Sequence, residues 1–421
     1  MTSSRLVVAA LVGWLLVGLL AAAPQGGSGP SPRFTMSMAF DSSRNVSVMF
    51  GGYGASGFLG DTWEWDGSAW HERTPTNSPT PREASMMAFD ASRGVCVLFG
   101  GVDSSGNHPG DTWEWDGQDW SLVATGGAGG RRNGDMVFDA VKGVCVMHGG
   151  YNGSWLNDTW EWDGASWNNV SSSNGMSVRN AHRMAFDRAR GVTVLYGGNF
   201  NGYNDETWEW DGATWSLINP TSPPGNRAIY SMCYDVVRQR VVMFGGRPDF
   251  NSESDETWEW DGTDWTLVLS PRSPIARHGA SCVYDESRDE VVLFGGRSGS
   301  GFLGDTWVFD GLEWQPKLDY VTSPVNGNRY ALTPPMTWQE AEDLAVLEGG
   351  HLATVRSSAE HGWLEQTFGA SANPRLWIGL NDFGAEGVHL WSSGESLSWT
   401  NWDLGSGEPN NGGVSPRHRR R

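Results

Sequence analysis

A six-fold internal repeat constrains this chain more than any other feature of its sequence. Each repeat contains a double glycine, a variable loop and then an acid-Thr-Trp-x-x-Asp-Gly-x-x-Trp run. Successive glycine pairs are 48 to 50 residues apart, which is typical of propeller blades and solenoids. The pairs are Gly51-Gly52, Gly100-Gly101, Gly149-Gly150, Gly197-Gly198, Gly245-Gly246 and Gly295-Gly296.

Each repeat is predicted to form four short strands. In the first repeat, an apolar residue recurs at every second position through residues 33–40, and a second apolar run of residues 45–50 ends at the glycines. Alternation with a period of two indicates strand rather than helix. The last two strands are joined through Asp66-Gly67, and Asp-Gly between aromatic runs predicts a hairpin in which both turn residues have positive φ.

Stacking of the repeats around an axis is the arrangement that buries their tryptophans. One four-stranded sheet cannot bury them alone, whereas six sheets closed into a ring can, and closure leaves only short sheet edges. We therefore predict a six-bladed β-propeller over residues 33–318. These repeats resemble the kelch family, which includes galactose-oxidase-like propellers, over about two thirds of the chain. The resemblance implies a fold but no particular activity.

The N-terminus has the pattern of a secretory signal peptide. Arg5 precedes an apolar run from Leu6 to Leu20 and three alanines, so residues 1–23 are predicted to be removed and residues 24–32 to form a linker. Because Pro24 disfavours cleavage directly after the alanines, an uncleaved membrane anchor is the alternative. We expect a secreted protein, extracellular or in the cell envelope, with no other contact to a membrane.

The charge of the chain argues against nucleic-acid binding, and its cysteines argue against disulfides. The formal net charge is −20, and only two lysines occur, so the molecule should repel nucleic acid. The four cysteines, Cys96, Cys145, Cys233 and Cys282, occupy repeat positions that hold Ser, Thr, Ala, Met or Val in other repeats. We therefore expect buried free thiols rather than disulfides.

The charged residues of the repeats are interpreted as structural. An arginine near the start of each repeat and an acid before each Thr-Trp occur in all six copies, so an ion pair is favoured over a ring of cation ligands. The arginines are assigned as Arg33, Arg82, Arg132, Arg179, Arg227 and Arg277, and the acids as Asp61, Asp111, Asp158, Glu206, Glu256 and Asp305. Five further glutamates lie between paired tryptophans, and their repetition likewise argues against catalysis.

Catalytic residues would instead stand out as exceptions to the repeat. The histidines fall in different repeat positions, and His148 replaces the aromatic residue that precedes the glycines. The Tyr, His and Tyr-crosslinked Cys of galactose-oxidase-type copper enzymes have no counterpart that we can align. We therefore predict that the protein is not an enzyme. The variable loops after the glycine pairs are the expected ligand-binding positions of the propeller.

After the sixth repeat, the repeat pattern ends and helical signals appear in the sequence. Thr337-Trp338-Gln339-Glu340 is a capping box, which predicts a helix ending near Gly349, and a second helix is predicted from Ser357 to near Gly369. A Trp-Ile-Gly-Leu strand at residues 377–380 and the triplet Glu408-Pro409-Asn410 follow.

This order of motifs resembles a C-type lectin domain, a small α+β fold predicted here for residues 320–411. The resemblance implies that Glu408 and Asn410 bind Ca²⁺ through oxygen atoms while they hydrogen-bond sugar hydroxyls, with selectivity of the mannose type. It also implies a cis peptide bond before Pro409. Trp399 and Trp402 fit either core packing or stacking on sugar rings.

The resemblance has two departures. Ala345 stands where the family places a disulfide cysteine, and no cysteine follows Cys282. After Asn411 the chain continues as a basic tail, residues 412–421, where the family supplies further calcium ligands and closing strands, so the lectin-like domain is expected to be incomplete.

The sequence therefore favours a secreted binding protein with a mainly β fold: a kelch-type propeller followed by a lectin-like domain that recognises a carbohydrate or glycoconjugate with Ca²⁺. The alternative is a scaffold in which the propeller loops bind a protein or polymer and the lectin half is inactive.

Overall fold

The structure is a computed structural model that describes residues 5–11, 29–171, 175–318, 320–334, 336–368, 375–381 and 390–398. The chain divides into two compact units. The propeller unit is Ser28–Lys317, and the second unit combines Met1–Gly27 with Leu318–Arg421.

The propeller unit contains six antiparallel blade sheets, each with the four strands that the repeat predicted, and the sheet of blade 1 also includes the short strand Arg33–Phe34. Each blade is a meander built from one continuous stretch of chain. Blades 1 to 3 consist of Ser37–Asp41, Val46–Gly54, Gly57–Trp65 and Trp70–Arg73; Met86–Asp90, Val95–Phe99, Thr112–Trp115 and Trp120–Ala124; and Asp135–Asp139, Val144–Tyr151, Trp155–Trp162 and Trp167–Asn169. Blades 4 to 6 consist of Arg183–Asp187, Val192–Tyr196, Thr207–Trp210 and Trp215–Ile218; Ser231–Asp235, Arg240–Phe244, Thr257–Trp260 and Trp265–Val268; and Ser281–Asp285, Glu290–Ser298, Gly301–Phe309 and Trp314–Lys317.

The hairpins at the Asp-Gly pairs form, but not with the predicted backbone. Only the glycine of each pair has positive φ, for example 93° at Gly67. The Asp66 carboxylate accepts hydrogen bonds from the backbone N–H groups of Ser68 and Ala69, at 2.8 and 2.9 Å. The aspartate thus closes the turn with its own side chain, which removes the need for positive φ at that position.

The first strand of each blade is shorter than predicted because a left-handed residue precedes it. In blade 1, Arg33–Phe34 is a separate two-residue strand, and Thr35 has a φ of 52°. The equivalent residues around the axis have φ between 52° and 65°: Thr35, Ala84, Asn133, Ala181, Ile229 and Gly279. The N–H of each donates to the carbonyl of the equivalent residue in the preceding blade, at 2.6 to 3.0 Å, and Thr35 donates to Gly279. The six residues therefore form a closed ring of backbone hydrogen bonds, which offsets their conformational strain.

A second ring of hydrogen bonds crosses the seams between blades. The last-strand tryptophan of each blade donates its indole N–H to the buried threonine of the preceding blade at 2.8 to 3.0 Å. The pairs are Trp70 to Thr306, Trp120 to Thr62, Trp167 to Thr112, Trp215 to Thr159, Trp265 to Thr207 and Trp314 to Thr257. The bond from Trp70 to Thr306 joins blade 1 to blade 6, so the propeller closes without exchange of a strand.

The glycine pairs allow the blades to approach one another closely. A Cβ on Gly51 would lie 2.6 Å from the carbonyl oxygen of Arg82 in the next blade. The same clash with the next arginine carbonyl would occur at the first glycine of every pair, and Gly295 closes the ring against Arg33. The repeat therefore requires glycine for packing between blades as well as for its positive φ.

The four cysteines are buried and unpaired, in agreement with the sequence analysis. Burial raises the pKa of the Cys145 thiol well above its ordinary value. These thiols are small apolar packing residues of the seams.

In its described residues, the second unit contains two helices, a mixed five-stranded sheet and a two-stranded sheet. Helix α1 is Trp338–Leu347 and helix α2 is Ser358–Phe368. The strands after the propeller are Val321–Thr322, Arg329–Thr333, Gly350–Leu352, Arg375–Trp377, Leu380–Asn381 and Leu390–Trp391. The capping box of α1 is present, with Thr337 and Glu340 bonded in both directions.

The segment Arg5–Leu11, which lies inside the predicted signal peptide, is a strand of this sheet. It pairs in parallel with Arg329–Thr333 and Gly350–Leu352, and antiparallel with Arg375–Trp377. The structure thus shows that this apolar segment has a place in the sheet of the second unit.

The close approach at the seams predicts a difference between two Gly→Ala substitutions. Gly106→Ala, at an open position with a φ of 78°, should cost about 1–2 kcal/mol of folding free energy from backbone strain. Gly51→Ala has similar strain and also places a methyl group against Arg82, so it should cost about 1–3 kcal/mol more. Urea denaturation of both variants measures the difference, and equal losses would show that the seam tolerates the methyl group.

Candidate functional site

The lectin-like candidate site depends on a framework in the second unit. Helix α1 is attached to the strand region by the Trp338 indole N–H, which donates to the Ile378 carbonyl at 2.8 Å. Gly379 follows, and a Cβ there would lie 2.9 Å from the Leu352 carbonyl oxygen. The Trp-Ile-Gly-Leu motif therefore joins the helix and the strands at close range.

Glu342 connects three segments from a buried position on α1. Its carboxylate contacts His351 Nδ1 at 2.6 Å and accepts from the Leu352 N–H at 3.0 Å and the Ser392 hydroxyl at 2.9 Å. A buried carboxylate with three such partners is well satisfied. Glu342 thus holds the turn after Leu390–Trp391 against the framework.

Glu360 at the start of α2 has a similar role. It accepts hydrogen bonds from the Tyr330 hydroxyl at 2.5 Å, the Asn326 amide at 2.8 Å and the Arg356 backbone N–H at 2.8 Å. Burial, together with this carboxylate, raises the pKa of Tyr330 to about 12. Arg356 also donates to Glu395 at 2.6 Å, which anchors the chain shortly before the predicted binding triplet.

The predicted sugar and calcium ligands, Glu408 and Asn410, lie outside the described residues, as do Trp399, Trp402 and the basic tail. Within the described ranges, no group of three or more His, Cys, Asp or Glu side chains is arranged to hold a metal ion. The calcium prediction therefore rests on the triplet itself. Ala345 is described and fully buried, so the position of the family's cysteine serves here as core packing.

The acids before each Thr-Trp are engaged in ion pairs within their blades. The carboxylate oxygens accept from the buried arginine at 2.5 to 3.0 Å and from the indole N–H of the tryptophan two residues later at 2.7 to 3.1 Å. Burial opposes ionisation of Asp61, but Arg33 and Trp63 hold its pKa below the ordinary value. This arrangement supports the structural interpretation of the acidic ring.

One arginine assignment was wrong by a single residue. The buried partner of Asp158 is Arg131, whereas Arg132 lies over the Tyr151 ring at 5.6 Å from its centroid. Arg131 stands 18 residues before Gly149 and donates to its carbonyl, as Arg33 does to Gly51. The spacing to the glycine, rather than the local Arg-Arg pair, identifies the residue.

The structure brings together two histidines that the sequence analysis treated as scattered. His148 and His182 are fully buried at the seam of blades 3 and 4, with ring centroids 5.6 Å apart. His148 Nδ1 contacts the Thr159 hydroxyl at 3.0 Å. The equivalent seam of blades 6 and 1 contains Phe294 and Met36. The signal in the sequence was the presence of histidine at two apolar positions of consecutive repeats.

Asp135 and Arg183 are a second exception near the same seam. Both line a cavity of about 230 Å³ along the propeller axis, at a position that holds Ser37, Met86, Ser231 or Ser281 in the other blades. Burial raises the pKa of Asp135, whose carboxylate accepts from the Met184 N–H at 2.7 Å. The axis is therefore asymmetric in charge, although the backbone is six-fold.

Residues 334–417 match the C-type lectin domain family, so the chain contains a C-type lectin domain. The chain is 39% identical over 103 residues to lectin BRA-3 of Megabalanus rosa, an alignment that covers 24% of this chain and 56% of that lectin. It is 36% identical over 77 residues to mouse tetranectin, covering 17% of this chain and 37% of tetranectin. The chain thus spans about half, or less, of the length of these relatives.

The propeller unit has a counterpart among solved structures. The structure of YjhT superposes with a TM-score of 0.54 at 15% sequence identity, over 69% of this chain and 98% of that one. This likeness shows the fold alone. Among the described helices, none is both long enough and apolar enough to cross a membrane.

The histidine seam predicts acid sensitivity of the propeller. Burial lowers the pKa of His148 to about 3, and burial with the neighbouring His148 lowers that of His182 well below its ordinary value. Below an unfolded-state pKa of about 6.5, the unfolded chain binds protons that the folded chain does not, so stability is lost as the pH falls. His148 alone should cost about 2 kcal/mol between pH 7 and pH 5.

The control variant for this prediction carries the side chains that are found at the seam of blades 6 and 1. Near His148 the charged groups are Arg131, Asp158 and Arg179, and His182 also faces Arg183. The double variant His148→Phe, His182→Met leaves these groups in place and restores the side chains of the blade 6 and blade 1 seam. Urea denaturation at pH 7 and pH 5 should show a smaller loss for this variant, and an unchanged loss would assign the acid sensitivity to other groups.

Proposed function

We propose that this protein is a non-enzymatic binding protein that recognises carbohydrate through its C-type lectin domain with the help of Ca²⁺. The observation that supports the proposal most strongly is the Glu408-Pro409-Asn410 triplet inside the segment that matches the lectin family. A glutamate and an amide can each offer one oxygen to a hard cation and a further polar atom to a sugar hydroxyl.

The described framework supports the same proposal. Glu342 on α1 binds Ser392, and Arg356, which precedes α2, binds Glu395, so residues 392–395 are held on the described framework. Because two side chains and water are a small ligand set for Ca²⁺, we expect weak affinity for single sugars and use a multivalent probe.

The test is retention of the full chain on immobilised mannan in millimolar Ca²⁺ and again in EDTA. We expect retention in Ca²⁺, loss in EDTA, and loss for Glu408→Gln in both buffers, because the amide removes the ligand charge. The matched control is Glu365→Gln on the exposed side of α2, which should bind like the parent. Equal behaviour of the two variants, or no calcium-dependent retention, would contradict a functional lectin site and leave the propeller as the binding half.

We also propose that the protein is secreted, with cleavage near residue 24. The strand formed by Arg5–Leu11 and a cleaved signal peptide exclude each other in one molecule, because cleavage removes the strand between Arg329–Thr333 and Gly350–Leu352. Intact-mass measurement of exported protein should give a chain that begins near residue 24. A full-length mass would contradict cleavage and keep the strand in its sheet.

A further inference from the structure

The propeller carries an unusual set of exposed aromatic side chains on one face. Because each blade is a meander, all loops between second and third strands lie at the same end of the blades, which we call the glycine-side face. Among the described residues, the large apolar side chains that are both exposed and aromatic are Trp155, Phe200 and Phe250, at 38%, 37% and 60% exposure. Phe200 and Phe250 lie in these loops of blades 4 and 5, and Trp155 is the first residue after the corresponding loop of blade 3.

With two tyrosines, these residues form two groups of ring contacts that meet in the loop of Phe200 and Tyr203. Tyr151 contacts Trp155 at 5.5 Å between centroids, and Trp155 contacts Phe200 at 5.7 Å. Tyr203, in the same loop as Phe200, contacts Phe250 at 4.6 Å. The aromatic ridge is therefore Tyr151, Trp155, Phe200, Tyr203 and Phe250, and it crosses three blades.

The loops hold the ridge in a fixed arrangement. Asn199 and Tyr203 are bridged across a tight turn, in which the Phe200 N–H donates to the Gly202 carbonyl at 3.0 Å and Asn201 has a φ of 55°. In the next blade, the Asp249 carboxylate accepts from the N–H groups of Asn251 and Ser252 at 2.7 and 2.8 Å. Exposed rings on braced loops are ordered before a ligand arrives, which lowers the entropic cost of binding.

Among the described residues, the opposite face has no such aromatic cluster. Its exposed large apolar side chains are aliphatic, and they stand singly in the turns between first and second strands or between third and fourth strands: Val141, Val237 and Leu312. Single exposed aliphatic residues are ordinary on a soluble protein, whereas a contiguous aromatic patch marks a binding surface.

The surroundings of the ridge favour an uncharged, hydroxyl-rich partner. Asn201 and Asn251 are exposed directly beside Phe200 and Phe250, and the loops of blades 3 to 5 consist mainly of aromatic, Gly, Ser, Asn and acidic residues. A net charge of −20 disfavours polyanions such as acidic polysaccharides or nucleic acid. A pyranose ring has apolar C–H faces for the aromatic side chains and a hydroxyl rim for amides and carboxylates.

The shape of the ridge favours a polymer over a single sugar. The planes of Tyr151 and Trp155 differ by 69° and those of Trp155 and Phe200 by 74°, so the rings do not share one stacking plane. Successive sugar units of a twisted polysaccharide would each contact a different ring of the ridge. We propose that the aromatic ridge binds a neutral polysaccharide, independently of Ca²⁺ and of the lectin domain.

The test uses the full chain in EDTA, which removes Ca²⁺ and so prevents binding at a calcium-dependent lectin site. Depletion from suspensions of cellulose, chitin and xylan is measured, with the triple variant Trp155→Ala, Phe200→Ala, Phe250→Ala compared against Val141→Ala, Val237→Ala, Leu312→Ala on the opposite face. The ridge variant should bind at least one of these polymers about ten-fold more weakly than the parent, while the control variant should bind unchanged. Equal thermal midpoints of both variants show that folding is intact, since all six side chains are exposed.

Two results would overturn the proposal. One is that the full chain in EDTA binds none of the three polymers, or that the ridge and control variants bind equally. The other is self-association of the parent in light scattering that the ridge variant loses while polymer binding is unaffected, which would assign the ridge to a second copy of the chain. Because EDTA removes calcium-dependent binding, failure here and failure of the lectin proposal are separate outcomes.

Discussion

The hydrogen bond from a last-strand tryptophan to a threonine of the preceding blade is the interaction on which the propeller depends. The indole fills the seam, and its N–H reaches a hydroxyl that would otherwise be buried without a donor, as in Trp167 to Thr112. Six such bonds close a ring, and each is worth only about 1 kcal/mol net, whereas leaving either partner unsatisfied costs about 1–3 kcal/mol. The bond forms only if the blades approach closely, which the glycine pairs permit, and only if the threonine strand is fixed, which the buried arginine-acid pairs ensure.

Because these interactions occur in every blade, we interpret them as structural. The candidate functional residues are those that differ between blades. The acids of the repeat form ion pairs with arginine and accept hydrogen bonds from tryptophan, so they are not available as a catalytic or metal-binding ring. The exceptions are His148 with His182 inside one seam, Asp135 with Arg183 at the axis, and the aromatic ridge on the glycine-side face. Of these, only the ridge is both exposed and extended over several blades. The C-type lectin domain contains the Glu408-Pro409-Asn410 triplet, so under our two proposals the units offer different chemistry toward carbohydrates.

Much of the fold follows from the sequence because the same local sequence signals occur in all six repeats. Strand alternation, glycine pairs and Asp-Gly turns each had one consistent interpretation, and the capping box placed α1. The predictions were wrong where a tertiary or side-chain contact determines the backbone conformation. Thr35 takes a left-handed conformation because it joins the axial ring, and Asp66 avoids positive φ because its carboxylate closes the turn. Arg131 was confused with Arg132 because only the distance to Gly149 distinguishes them. The meeting of His148 and His182 could not be read from spacing, since they belong to different blades.

The chain consists of two compact units, of which we propose that only the second responds to calcium. Differential scanning calorimetry of the full chain in Ca²⁺ and in EDTA tests it directly, because a ligand that binds only the folded form raises the midpoint of the unit that holds it. We predict two transitions of unequal enthalpy, the larger from the propeller unit, with Ca²⁺ raising the midpoint of the smaller one alone. A single transition, or a calcium shift of the larger transition, would contradict the account.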